Sequence, residues 1–423
     1  MNKAKILLIT LLFSTALSAQ SNDRSRFDNL IQNVNKELIA LDIPAVSLDY
    51  KAYLTSLLQS SNSAAQKQFF LETRSKLQKI DLDQLNESQQ MEFKILQFEI
   101  ENNLSRLELI DLLRKEKVDV EKYNELSKMP NGPKWYGYLV TKWTGTDLSL
   151  EEIMDFGLVE VERISNEIQK LNLPESKPDR YYTKDTQLIE AKLQAKKAQL
   201  DSQIPNFFPE FKSIPTLNIV RGTNSRMAQA PGYYSNNTFY YNLFDEPFDL
   251  SETDWLLIHE GSPGHHFEVT YHDQIPVSAF RNQFQYMGFI EGWAAYTENL
   301  GWEMGLYTDP YEALAKWNWD LIRSARVYLD VALNYKGWSD EQAMEFWRKY
   351  IHGKDEIGLR EIARMKRWPA QVLAYKLGEY QMLAALKKEQ ARLGENFEYK
   401  AFHTQLLNSG TMPVNLIASL FKQ

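Results

Sequence analysis

The sequence predicts a mainly α chain, a large multi-helix architecture with a small β-strand element just ahead of its most unusual helix. Three observations carry this. Apolar residues recur at spacings of three and four from residue 20 to about residue 200, the period of an amphipathic helix. Between about Ile204 and Leu250 that period stops, and Pro205, Pro209, Pro215, Gly222, Pro231 and Gly232 punctuate short extended runs. From Ser251 the helical period returns and continues to the end. The composition, 43% hydrophobic and 25% charged over 423 residues, is that of a globular chain. It is long enough for one large or two intermediate domains.

In order along the chain, Met1 to Ala19 reads as a signal peptide. Lys3 and Lys5 precede an apolar run from Ile6 to Leu12, and Ala16, Ser18 and Ala19 supply the small residues of a cleavage site. That run is too short to span a bilayer and no later stretch is long enough, so the sequence predicts no integral membrane segment. Next, residues 20–204 form an N-terminal helical region. Phe27, Leu30, Ile31, Val34 and Leu38 mark one helix face; Phe70, Leu71, Leu77 and Ile80 mark another; Met91 to Leu113 is a long amphipathic stretch. Ser60 to Ser63 and Met129 to Pro133 read as turns. Ser149 ahead of Glu151 and Glu152 is a capped helix start. Lys184 to Asp201 is a further charged helix.

A soft boundary is expected near residue 205, with 205–423 as the region that carries the chemistry. Leu217–Val220 and Thr238–Asn242 read as short strands, with Asn236 and Asn237 as a turn between extended pieces. The later helices are expected at Ser251–His272, Gln283–Trp302, Tyr311–Tyr335, Ser339–His352, Leu359–Arg367 and Val372–Leu393.

Composition excludes several functions. The formal charge of −8 argues against nucleic acid and against an anionic membrane surface. The absence of cysteine removes disulfides, a thiol nucleophile, thiolate metal ligands and a lipobox anchor. With the leader, this points to a periplasmic or secreted location. The 22 tyrosines and 10 tryptophans suit an aromatic cleft or packing between large helices.

Four of the six histidines fall within fourteen residues: His259, His265, His266 and His272. The segment His259-Glu260-Gly261-Ser262-Pro263-Gly264-His265-His266 contains the elements of a zinc-hydrolase helix, two imidazole ligands and a general base. The spacing differs from H-E-x-x-H. In a straight helix His265 would lie ~240° around and ~9 Å along from His259, and His266 ~10.5 Å along, so neither could share an ion with it. Pro263 would clash with the carbonyl of His259, four residues back, and Gly264 makes a bend easy. A local bulge that absorbs two residues would bring His265 to the metal. Ser251 and Asp254 read as a capping box for this helix. The third ligand is expected to be Glu291, a carboxylate in the apolar run Phe289 to Tyr296 that needs a cation if buried; Glu298 is the second choice.

On these residues the chain resembles the bacterial family called domain of unknown function 885, grouped with gluzincin-like zinc metallopeptidases. The resemblance rests on His259-Glu260-x-x-Pro263-Gly264-His265, Glu291-Gly292-Trp293-Ala294, Leu300-Gly301, Gly305-Leu306-Tyr307, Arg323-x-x-Arg326 with Asp330, Gly337-Trp338-Ser339, Pro369-x-Gln371 and Tyr375-Lys376-x-Gly378. It covers roughly residues 230 to 415. Asn334 stands where relatives usually have a histidine, and Pro369-Ala370 replaces the usual Pro-Gly.

The resemblance implies a zincin-like fold with zinc held by His259, His265 and Glu291 and with Glu260 as general base. Such peptidases use a Tyr or His as second donor to the oxyanion, and Tyr375 is the candidate here. Arg323, Arg326 or Lys376 could clamp a peptide carboxylate; interhelical ion pairing is the plainer use of the arginines. The implied activity is peptide hydrolysis; the helical architecture, with the site expected in a deep channel between two helical halves, adds short peptides as the substrate. The net negative charge adds a mild preference for neutral or basic peptides. A cell-wall amidase would use the same chemistry. A periplasmic glycan- or peptide-binding protein with a non-catalytic metal site is the reading from another class.

Overall fold

The structure is a computed structural model and describes residues 22–174, 176–210, 214–228 and 230–421. The expected signal peptide at 1–19 lies outside the described residues. Among them the chain is mainly α, with fifteen helices and five short strands. No helix is long and apolar enough to cross a membrane.

The chain divides into two compact units. The first, residues 22–123 with 277–285, holds α1 (22–40), α2 (Tyr50–Gln59), α3 (Ser63–Leu77) and α4 (Glu87–Lys115). The apolar faces read from the sequence are its core: Phe27, Leu30, Ile31 and Val34 of α1 and Ile95, Leu96, Ile100 and Leu107 of α4 are buried. Phe27 stacks on Phe93 with ring centroids 6.1 Å apart. The 277–285 segment joins this unit through Gln283, whose amide donates to the Asn35 carbonyl at 2.9 Å. The helix expected from Gln283 therefore starts later, at Met287.

The second unit, 124–276 with 286–421, contains α5 (Gly132–Thr144), α6 (Leu150–Lys170), α7 (Thr186–Phe207), α8 (Thr253–Glu260), α9 (His265–His272), α10 (Met287–Glu298), α11 (Pro310–Asn334), α12 (Asp340–Tyr350), α13 (Asp355–Arg367), α14 (Leu373–Leu393) and α15 (Tyr399–Asn408). Ser149 and Glu152 form the capping box expected for α6. Asp309 with Glu312 and Ser339 with Gln342 do the same for α11 and α12. Helix α6 lies close along α11: a Cβ on Gly157 would fall 2.7 Å from the Tyr328 backbone nitrogen. Val161 and Ile164 of α6, Leu321, Ile322 and Leu329 of α11, Met344 and Trp347 of α12, and Ile362 and Met365 of α13 make one buried cluster.

Residue 205 falls inside this unit, at the C-terminal end of α7, so the expected boundary there is not where the chain divides. Helices α5, α6 and α7 pack on α14, α11 and α8 of the same unit. Sequence periodicity reports helices and not which helices share a core.

Helices α10 and α14 cross in backbone contact. A Cβ on Gly378 would meet the Gly288 carbonyl oxygen at 1.9 Å and the Gly292 Cα at 2.6 Å. This contact brings Tyr375, one turn before Gly378, against the turn of α10 that carries Glu291. Gly378→Ala is therefore expected to cost at least the ~1–3 kcal/mol of an overpacked core, read as a lower denaturation midpoint. Unchanged stability would contradict the close crossing.

The punctuated stretch forms β1 (Tyr182–Thr183) paired antiparallel with β5 (Phe248–Asp249), and a three-stranded sheet of β2 (Asn218–Arg221), β4 (Thr238–Tyr241) and β3 (Gly232–Ser235). Central β4 pairs parallel with β2, Asn218 opposite Thr238, and antiparallel with β3, Gly232 opposite Tyr241. Asn236 and Asn237 take the positive φ values of a tight hairpin, 47° and 56°. Strand β3 is an edge strand and stands beside the cavity described next.

Candidate metal centre

His259 and Glu260 are the last two residues of α8, and His265 is the first of α9. The expected helix Ser251–His272 is thus broken, and the chain leaves the helix at Gly261. Gly264 is required by close approach: a Cβ there would lie 1.9 Å from the His259 carbonyl oxygen. The break is tied to α10 by Trp293, whose indole N–H donates to the Pro263 carbonyl at 2.8 Å. The capping box expected from Ser251 and Asp254 does not form. Asp249 accepts from the Ser251 N–H at 3.0 Å instead. Asp254 is buried beside Lys196 and accepts from the Tyr307 N–H.

The break does what the spacing requires. His259, His265 and Glu291 each offer a ligand atom, and these atoms lie within 4.8 Å of one another. His265 Nε2 stands 3.4 Å from Glu291 Oε2. Two ligands ~2.1 Å from a tetrahedral zinc ion stand about 3.4 Å apart, so the pair fits such an ion. His265 and Glu291 are 13% and 14% exposed, which leaves one side of the trio open to a cavity.

Behind His259 lies Glu298, with Oε1 2.7 Å from Nδ1. Burial would raise the Glu298 carboxyl, but the charge of Arg323, then His259, holds it down to about 2. An ionised Glu298 makes Nδ1 the donor and leaves Nε2 with its lone pair, the carboxylate–histidine arrangement that orients a metal ligand. Glu298, the second choice for third ligand, thus meets the His259 imidazole and the Arg323 guanidinium and is not among the three residues whose ligand atoms converge. Burial would lower His265, yet its hydrogen bond and charge contact with Glu291, with Glu260 behind, raise it to about 9. Glu291 is opposed by burial but held below the usual carboxylate range by the same contact. The trio calls for positive charge.

The cavity has a volume of about 930 Å³. Glu260 and Tyr375 line it with the trio. The Tyr375 phenol is pushed up by burial, then by the Glu291 charge, against the opposing charges of Arg364 and Arg326. It stays protonated and can donate. Every lining residue falls between Arg226 and Tyr375. The cavity thus lies inside the region expected to start at 205, and not between that region and the N-terminal helices.

The other candidate binding residues meet carboxylates, the plainer use expected of the two arginines. Arg323 lines the cavity, but its guanidinium forks onto Glu298 at 2.8 and 2.7 Å. Arg326 does the same with Glu361 at 2.9 and 2.8 Å. Lys376 is buried away from the cavity among Asp320, Glu379 and Glu160 at 2.6, 2.9 and 3.0 Å. All three are held by carboxylates, so none is available as the expected clamp. His266 is turned to the Pro215 carbonyl at 2.9 Å, which leaves His265 as the ligand of that pair.

Asn334 lies outside the cavity and ties α11 to α13 through the Met365 carbonyl at 3.1 Å. Ala370, where relatives usually have glycine, takes φ of 70°, and its N–H donates to Asp330 at 2.9 Å. Asp330 also accepts from Tyr136 at 2.7 Å and pairs with neither arginine. Burial raises its carboxyl from 3.8 to about 7. A raised carboxyl contributes stability that is full below about pH 4 and is lost as pH rises to about 7. The melting temperature of Asp330→Asn relative to the parent chain is therefore expected to climb between about pH 4 and 7 and level off above. A flat difference would contradict the raised carboxyl.

Sequence reasoning missed an arginine-rich wall. Arg226, Arg360, Arg364 and Arg367 also line the cavity. Their signal was available as Arg360-x-x-x-Arg364-x-x-Arg367, one face of a helix. This wall is opposite in sign to the net charge from which a preference for neutral or basic substrates was drawn.

No curated protein matches this chain. Two solved structures share its fold. One is a "putative lipoprotein" from Colwellia psychrerythraea, with a TM-score of 0.65 and 23% identity, covering 88% of this chain and 69% of that one. The other is a "putative lipoprotein of unknown function" from Shewanella oneidensis, with a TM-score of 0.57 and 21% identity, covering 85% and 72%. A family model described as "Bacterial protein of unknown function (DUF885)" matches residues 105–420. That span is well over half of the sequence and includes every residue of the metal centre and the cavity: the chain belongs to the DUF885 family.

Proposed function

We propose that the chain is a zinc-dependent hydrolase, a metallopeptidase that cleaves short peptides with Glu260 as general base. The observation that supports this most is the meeting of His259, His265 and Glu291 on the open side of a cavity that also holds Glu260 and Tyr375. Those three residues would hold the ion, the three-ligand set of catalytic rather than structural zinc. Bound there, zinc supplies a Lewis acid.

The chain's own residues do the rest. A Glu260 carboxylate oxygen accepts the proton of the attacking water and later delivers it to the leaving amine. The Tyr375 hydroxyl donates to the oxygen on which negative charge develops. Arg364 hydrogen-bonds that hydroxyl, and the glycine contact of α10 with α14 fixes its distance from Glu291. Strand β3, an edge strand among the described residues, lines the cavity, where strand addition could align an extended peptide. A cavity of about 930 Å³ is within the usual range for small ligands and too small for a folded protein. The open coordination side favours this reading over a binding protein with a non-catalytic metal. The leader expected at Met1–Ala19 places the activity in the periplasm or outside the cell.

The test is cleavage of a mixed peptide library by zinc-loaded protein with and without a chelator. Cleavage that disappears with chelator and returns with zinc is expected. No cleavage, or cleavage indifferent to the chelator, would overturn the proposal.

A further inference from the structure

Charge in the cavity is lopsided. Six arginines line it against three carboxylates, Glu260, Glu291 and Glu361, with no lysine and no aspartate, in a chain of net charge −8. Two arginines are matched closely, Arg323 by Glu298 and Arg326 by Glu361, and Arg364 stands 3.8 Å from the same Glu361 carboxylate. The other four include a single stripe, since Arg360, Arg364 and Arg367 stand at i, i+4 and i+7 on α13 and so share one face. Arg226 comes from the short turn Ser225–Met227 ahead of β3.

Arg364 is the most committed to the site. It donates to Gln371 Oε1 at 2.7 Å and hydrogen-bonds Tyr375, yet its Nε is buried with no acceptor among the described residues. Arg367 lies over the Trp368 ring, 4.6 Å from its centroid, and Arg364 lies 5.5 Å from the same ring. Stacking on a ring face leaves the in-plane N–H groups of a guanidinium free to fork onto an oxyanion. Arg226 and Arg367 have no carboxylate partner among the described residues.

We propose that this wall is a carboxylate-recognition subsite. The substrate carries a carboxylate held by Arg364 and Arg367, with Arg360 and Arg226 beside them. This rests on the hydrolase reading and adds its substrate class, an anionic peptide. A concave surface of one sign focuses its field and concentrates oppositely charged ligands, so the wall works against the repulsion of the rest of the chain. The carboxylate could be a free C-terminus or an acidic side chain, because both present the same two oxygens to a guanidinium fork.

The experiment uses the full chain carrying Glu260→Gln, so that probes are bound and not consumed. Three probes are titrated by calorimetry: acetylated penta-alanine as the free acid, the same peptide as its C-terminal amide, and that amide with a central glutamate. At least one acidic probe is expected to bind tenfold or more tighter than the neutral amide, with the advantage shrinking as salt is raised. The tighter of the two acids identifies the source of the carboxylate. Arg364→Gln and, separately, Arg367→Gln should remove most of that advantage, and Arg367→Gln should leave the neutral amide's affinity unchanged. Arg367 is exposed and does not touch Tyr375, so its variant remains informative if Arg364→Gln folds poorly. Equal binding of the three probes, no binding of any, or an advantage that survives both arginine changes overturns the subsite. A carboxylate preference in a chain that cleaves no peptide would sustain the subsite and sink the hydrolase reading alone.

Discussion

Glu260→Gln is expected to lower kcat by roughly 10²–10⁴-fold, the usual contribution of a positioned general base, with metal content unchanged. The amide keeps the size and planarity of the carboxylate but cannot accept a proton at neutral pH. Glu260 sits in the same cavity as the trio and close enough for its charge to raise His265. It is not one of the three residues whose ligand atoms converge. The two halves of the prediction separate its roles. Loss of the metal along with activity would make Glu260 a ligand. Retained activity would remove it from the mechanism.

His265→Ala is expected to give a chain that no longer retains zinc through dialysis and that cleaves no faster than the buffer. The side chain offers one of the three ligand atoms that converge among the described residues, and its neighbour offers no replacement, since His266 faces Pro215. The loss should be graded along the shell. Glu298→Gln keeps a hydrogen-bond acceptor for the His259 Nδ1–H but removes the charge that fixes it, so zinc affinity should fall by roughly 10–100-fold rather than vanish. Glu298→Gln also leaves the Arg323 guanidinium buried without its carboxylate partner, so its melting temperature should fall as well. Zinc affinity is therefore measured below the transition, by competition with a coloured chelator. Equal affinity of Glu298→Gln and the parent chain would remove Glu298 from the support of the site.

The convergence of His259, His265 and Glu291 was legible because its signal is local. A proline and two glycines between His259 and His265 announce a break, and only a break lets that spacing converge. Glu291 was legible because a lone carboxylate in an apolar run needs a partner. Glu298 was found by the same rule, which detects a buried carboxylate and does not say which partner it meets; in the fold it meets His259 and Arg323. The arginines were legible as interhelical ion pairs, but not their partners. In the fold Arg323 crosses to Glu298 on α10 and Arg326 to Glu361 on α13, contacts made by packing and invisible to spacing.

The arginine stripe of α13 was overlooked for a related reason. A charged helix face reads as solvent-facing until a cavity is known to lie against it. Likewise the 277–285 segment looked like the start of a helix, because nothing in its composition says that it belongs with residues 22–123. The glycines of Gly292 and Gly378, by contrast, are plain in the sequence. Only the crossing of α10 with α14 explains them, and it also explains why Tyr375 stands near Glu291.

The central claim is that His259, His265 and Glu291 hold one zinc ion. The most direct measurement is the zinc-to-protein ratio, by elemental mass spectrometry, of chain loaded with zinc and dialysed without chelator. The parent chain is predicted to retain one zinc per molecule, and the His259→Ala and Glu291→Ala variants close to none. A parent chain that retains no zinc, or variants that retain as much as the parent, would contradict the account.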